Sequence, residues 1–317
     1  MDESAINRLI DEAERVLGGK YTQIVTWLKD RRTVEAIARL IAERRWTEIL
    51  PVADLRRAGT ALASAANAQH IKAAEQVSNA LADLTDNLIR YDVGNPRAVS
   101  AMQETGARLV REVSVEQQQV LANVLQDGLS RGENPLTTAR TVRESIGLTA
   151  TQEQHVRNYR RQLEQGSQAA LDRQLRDRRY DRMVERAAET PLTPAQIDRM
   201  VDRYRQRYVK YRSEVIARTE GLRAVNSGQH AAFQQAVDTG ELRRDTLESV
   251  WHPGPAVGDY RPEHRGIAPV PFGQPFVTGD GILMRYPHDP LAPISAVAGC
   301  RCTYTTRIVA VGARRAA

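Results

Sequence analysis

One change of pattern, near Asp238, constrains this chain more than any other feature. Before it, apolar residues recur at steps of three and four, the period of one face of an α-helix. After it, short apolar runs are punctuated by Gly and Pro. The stretch "VPFGQPFVTGDGILMRYP" suits short strands or extended loops joined by turns such as "TGDG", and "CTYTTRIVAV" (Cys302 to Val311) is β-branched and alternating enough for a strand. The expected fold is therefore mainly α, with an elongated helical N-terminal region and a small C-terminal α+β domain. Three segments follow: helix hairpins that bind a partner over 1–190, a long connecting helix over 191–237, and the small domain over 238–317.

Polar caps divide the helical part. Ser114 with Gln117, Thr149 with Gln152 and Thr193 with Gln196 have the spacing in which a hydroxyl and an amide cap a helix start. In "RGENPLTTAR", Gly132 stops one helix, Asn134 caps the next and Pro135 takes its first position. From Thr193 to Val237, Ile197, Val201, Tyr204, Tyr208, Tyr211 and Val215 form one face of a long helix, with breaks conceivable at Gly221 or at Asn226 to Gly228. A tyrosine stripe at that spacing reads as a core seam before it reads as a surface for stacking nucleobases.

The length of 317 residues exceeds what one core usually organises. The aromatic content of 5% with 26% charged residues suits charged helices better than an enzyme barrel. A net charge of +6 permits contact with DNA or an acidic surface. In "RQLRDRRYDRMVER" (Arg173 to Arg186), however, acids interleave with the arginines, so a salt-bridged, solvated helix face is expected rather than a phosphate-binding stripe. The N-terminus carries acids where a signal peptide needs basic residues, and no apolar run nears a membrane span, so a soluble, cytoplasmically made protein is expected.

The chemistry-bearing residues gather in the tail. Cys300 and Cys302, as Cys-x-Cys, do not make a disulfide framework. With His264 they could hold a structural zinc ion, His252 or His288 being fourth ligand, although side chains two apart in an extended chain point to opposite faces. The simpler reading makes them small buried residues at a strand entrance, with no metal and no cofactor. His264 with Asp259 and Glu263 offers acid-base chemistry, but no nucleophile elbow, phosphate loop or zinc-protease motif accompanies it, so no enzyme is expected. Arg261 and His264, with Asp259 nearby, are expected to clasp the loop against the C-terminal strand.

The order of these elements resembles the phage Mu F-like family of minor head proteins, also called the head morphogenesis family. The matching residues are Ala217, Arg218, Thr219 and Glu220; Trp251; Asp259, Arg261 and His264; Pro287 and Asp289; and Cys300, Arg301 and Cys302. Gly299 stands where the family has Asn, and the loop "HPGPAVGDYRPEHRG" is longer and richer in proline than the family's version. The resemblance covers roughly the last hundred residues and implies a structural protein of a tailed phage or prophage. Its partners would be the portal protein and the major capsid or scaffold protein, with packaged double-stranded DNA a further contact. Its place would be the capsid interior near the portal. Family domains are in some cases fused to toxins; with few residues after Cys302, no such fusion is expected here. Two other readings compete: an internal DNA-binding or ejected head protein, and a metal-dependent enzyme.

Overall fold

A computed structural model describes residues 2–85, 88–254 and 261–309. The helices run α1 (Glu3–Asp30), α2 (Val34–Ala42), α3 (Val52–Thr85), α4 (Pro96–Ser130), α5 (Pro135–Ser145), α6 (Ala150–Glu164), α7 (Asp181–Glu185), α8 (Pro194–Asp238) and α9 (Ile294–Val297). The strands are β1 (Leu247–His252), β2 (Val270–Pro271), β3 (Phe276–Val277), β4 (Leu283–Met284) and β5 (Thr303–Ile308). The protein is mainly α with a small α+β tail, as its hydrophobic pattern dictates.

Most helix starts follow from their caps. Thr149 and Gln152 form a reciprocal capping box at α6, and Asn134 accepts from the Leu136 N–H with Pro135 opening α5. Thr193 and Gln196 exchange bonds in the same way at α8, the Gln196 N–H donating to Thr193 Oγ1 and the Thr193 N–H to Gln196 Oε1. The third expected cap is not one. Ser114 lies inside α4, and the Gln117 side chain instead serves the turn between α5 and α6, donating to the Leu148 carbonyl and accepting from the Gly147 N–H, both at 2.9 Å.

α8 is a single helix of 45 residues, unbroken at Gly221 or Gly228. Those glycines mark close approach instead: a Cβ on Gly228 would overlap the His70 carbonyl of α3, and one on Gly221 would lie 3.1 Å from the Glu14 amide nitrogen of α1. The Arg173 to Arg186 stretch also departs from expectation. It holds a 3₁₀ turn (Arg178–Tyr180) and the short α7 rather than one helix, because Asp177 caps the turn through the Arg179 N–H. Its charges nevertheless cancel as expected, with Arg176 on Asp181 at 2.9 Å and Arg179 on Asp177 at 2.6 Å.

Contacts divide the chain into two compact units that do not coincide with the three sequence segments. The first comprises Met1–Tyr21, Leu62–Ala107 and Glu214–Ala317; the second comprises Thr22–Ala61 and Arg108–Ser213. The chain passes between them within α1, α3, α4 and α8, so the tail is not set apart at residue 238.

In the first unit, Ile6, Leu9, Ile10 and Ala13 of α1 pack with Ala73 of α3 and with Leu222 and Val225 of α8. The tail adds an antiparallel sheet of order β2-β1-β5, with Leu247 opposite Ile308 and His252 opposite Thr303, and a β3-β4 hairpin. Alternation along β1 turns Leu247, Ser249 and Trp251 inward. In the second unit, Tyr204 is fully buried against Tyr159, ring centroids 4.4 Å apart, and meets Tyr208 edge-on at 4.9 Å. The tyrosine stripe is a core seam there, apart from Tyr211, which is exposed.

Candidate functional site

The C-terminal half of α8 is unusual for a buried helix face, because it is polar. Thr219, Glu220, Arg223, Asn226 and Gln229 are all buried. Each of four reaches backbone in the tail: Thr219 Oγ1 accepts from the Gly299 N–H at 3.2 Å, Arg223 Nε donates to the His288 carbonyl at 3.3 Å, Asn226 Nδ2 to the Pro287 carbonyl at 2.9 Å and Gln229 Nε2 to the Tyr304 carbonyl at 2.9 Å. Asn226 also accepts from Thr303 Oγ1 at 3.0 Å, and Glu220 pairs with Arg223 at 2.6 Å. The physical reason lies in the partner. Coil, and the outer side of an edge strand such as β5, leave N–H and C=O groups without ladder bonds, and once buried these need side-chain partners.

The loop from Arg285 to Asp289 is locked in the same manner. Asp289 accepts from Arg285 Nε at 2.8 Å and Nη2 at 2.7 Å, and from the Arg285 and Leu291 amides. Burial works against its ionisation, but the Arg285 guanidinium and these amides outweigh it and hold its pKa below the usual carboxylate range. His288 is wholly buried, and its Nε2–H donates to the Cys300 carbonyl at 3.0 Å; burial pushes its pKa down to about 3, so the ring is neutral.

His264, Cys300 and Cys302 converge behind these loops. His264 ends a 3₁₀ turn opened by Pro262, and all three side chains are buried. Cys300 and Cys302 lie before β5, not within it, after Gly299 has taken a left-handed φ of 72°. The alternation expected of an extended pair therefore does not apply, and both sulfurs meet the same atom: His264 Nδ1 is 3.4 Å from Cys300 Sγ and 3.6 Å from Cys302 Sγ. Both cysteines are free thiols. Backbone amides point at them as well, Gly254 N at 3.5 Å from Cys302 Sγ and Cys302 N at 3.4 Å from Cys300 Sγ. Donation from Cys300, opposed by burial and helped by His264 and the Gly254 amide, lowers the Cys302 thiol from its ordinary range; the same bond and burial push Cys300 far up.

The remaining expected residues divide. Trp251 lies edge-on to His264, centroids 5.5 Å apart, and Arg261 Nη2 donates to the Ala298 carbonyl at 2.9 Å. The loop is thus clasped to the C-terminal segment at two points, through Arg261 and through His264. Arg218 lies 3.9 Å from Glu14, and Arg301 is exposed. Asp259 falls outside the described residues. Neither His252 nor His288 joins the cluster as a fourth ligand: His252 Nε2 is bonded to Thr305 Oγ1 at 2.8 Å, and His288 is held by the Cys300 carbonyl. Reasoning from sequence missed Arg223, Asn226 and Gln229, for which a run of polar residues at helical spacing beside Thr219 was the available signal.

A second concavity of the first unit is lined by Arg97, Arg244, Arg285, His70 and His230. Its positive charge is largely answered, since Arg97 pairs with Asp238 at 2.8 Å, Arg285 with Asp289, and Arg244 lies over the Phe272 ring. No helix among the described residues is long and apolar enough to cross a membrane. Compared with models of known protein families, with curated protein sequences and with solved structures, the chain matches none.

Proposed function

We propose that this chain is a structural protein of a tailed-phage or prophage head, one that associates with the portal and the capsid interior during assembly. The support is the sequence resemblance together with one observation: residues of its scattered motifs interlock. Thr219, Trp251, His264, Asp289, Cys300 and Cys302 come from separated segments, yet all are buried in the first unit. Thr219 holds the turn at Gly299, Asp289 fixes the loop before it, and His264 bridges the two cysteines. Such residues keep a fold in shape, and the tail is architecture rather than an active site. Because α8 contributes to both units, the partner-binding test uses the full chain rather than a fragment ending near residue 190.

The test is mass analysis of purified particles, paired with a pull-down of the portal protein encoded alongside the chain. Recovery in particles and on the portal is expected; absence from both sinks the reading. If the chain instead acts as an internal DNA-binding protein, its retention on DNA falls steeply as salt is raised. A hydrolytic or transferase activity lost in His264→Ala, with the fold intact, would overturn the architectural reading of the tail.

A further inference from the structure

We infer that His264, Cys300 and Cys302 form a binding site for a tetrahedral divalent cation of the zinc class. The inference stands on geometry and does not depend on the head-protein reading. With Zn–S near 2.3 Å and Zn–N near 2.0 Å, a tetrahedral ion sets its nitrogen and sulfur ligands about 3.5 Å apart. His264 Nδ1 lies 3.4 Å from one sulfur and 3.6 Å from the other. All three ligand atoms lie within 4.8 Å of one another, and all three residues are buried.

Hydrogen bonding accounts less well for this arrangement. Nδ1 carries either one proton or one lone pair, so it can make one directed bond, yet it sits almost equally between two sulfurs. A cation seated just off the plane of the three atoms serves all of them at once. The amides of Gly254 and Cys302 approach the sulfurs as N–H groups do around metal-bound thiolates, orienting them and spreading their charge. Electrostatics agrees. Two adjacent buried thiolates repel each other, and a divalent cation brings the set with neutral imidazole to zero net charge. On binding, each S–H gives its proton to solvent, while His264 coordinates through the Nδ1 lone pair and keeps its proton on Nε2.

A neighbouring constraint explains how the site is presented. The Gly299 turn is held by Thr219, the Cys300 carbonyl by His288, and the His264 turn is flanked by Trp251 and by Arg261 on Ala298. The ligands are therefore placed by bonds that do not involve the ion. This predicts an apo chain that stays folded but melts lower, rather than one that unfolds outright. The ion keeps one coordination position for a fourth ligand.

The experiment uses the full chain, purified under reducing conditions, loaded with zinc and desalted. About one zinc per chain is expected, falling at least tenfold in the Cys300→Ser/Cys302→Ser double variant. Cobalt loading should give the strong visible d–d bands of a tetrahedral ion and a near-ultraviolet thiolate charge-transfer band. Chelation should lower the melting temperature of the wild type and leave that of the double variant unchanged. Should the double variant fail to fold, His264→Cys keeps three ligands and must still bind cobalt with a stronger thiolate band. Retention below about one tenth of an equivalent by the loaded wild type, or a cobalt spectrum without thiolate charge transfer, overturns the site.

Discussion

The two halves of α8 are one continuous helix built with two chemistries. In the N-terminal half, Ile197, Met200, Val201 and Tyr204 pack on Val156, Tyr159 and Leu163 of α6. In the C-terminal half, Thr219, Arg223, Asn226 and Gln229 bond to the backbone of the tail. The difference follows from what each half meets. A helix satisfies its own backbone, so another helix needs only complementary apolar ridges. A Gly/Pro-rich coil brings unpaired carbonyls and amides into the interior, and the helix beside it must supply polar side chains. Burial alone therefore does not decide whether a helix face is apolar; the hydrogen-bonding state of its partner does.

The sharpest way to break this contrast is to truncate each half at its centre. Tyr204→Ala removes a fully buried ring and should cost about 3–5 kcal/mol in chemical denaturation. Hydrogen exchange should quicken in α6 and in residues 194–213 while the tail sheet stays protected. Asn226→Leu keeps the branched shape but leaves the Pro287 carbonyl and the Thr303 hydroxyl without their partner, which should cost about 2–4 kcal/mol. Here the quickening should appear in β5. An Asn226→Leu protein as stable as wild type would mean that the polar half contributes nothing to holding the tail.

A smaller, pH-dependent effect should also separate the units. Burial depresses His70 and His230, both in the first unit, from the usual 6.5 to about 4. The unfolded chain takes up these protons first as pH falls, so the stability is fully present above about 6.5 and is lost on acidification toward 4. The melting temperature and the first unit's amide protection should fall across that window. The double variant His70→Gln/His230→Phe should make the profile shallower, His288 supplying part of what remains, since Phe keeps the ring contacts with Phe272 and Tyr286 without a titrating group. An unchanged slope would show that other groups set the acid limit. The smallest effect is expected at the exposed Arg243–Asp245 pair, where Arg243→Ala should leave melting unchanged.

What could be read from the sequence tracks the same contrast. The apolar half of α8, the caps at Asn134, Thr149 and Thr193, and β2 to β5 of the tail were legible, because helical period, cap chemistry and β-branched alternation are local signals, whereas the central strand β1 was not singled out. The polar half was not. Asn226 to Gly228 resembles a helix break because Asn and Gly disfavour helix interiors, and only the tail and α3 packed against them reveal their use. Gln117 misled in the same way, its amide serving a turn thirty residues further on rather than a helix start. For the cysteines, their place ahead of β5 rather than within it removed the alternation of an extended chain. Asn226, Gly228 and Gln117 are misread because their partners lie far along the chain, whereas Asp177 breaks the expected Arg173–Arg186 helix through a cap two residues away.

The α1 seam carries a consequence for synthesis. Ile6, Leu9, Ile10 and Ala13 are made long before part of the surface they pack on, Leu222 and Val225 of α8. Until then the apolar stripe of α1 has only its earlier neighbour on α3, and the first unit closes through contacts of very large sequence separation. Loops of that length close slowly, and an exposed stripe on a nascent chain invites association with other chains. The second unit, assembled from Thr22–Ala61 and Arg108–Ser213, can form while the ribosome is still working. Premature termination before α8 should therefore yield a product that aggregates through α1, although the residues of α1 themselves are intact.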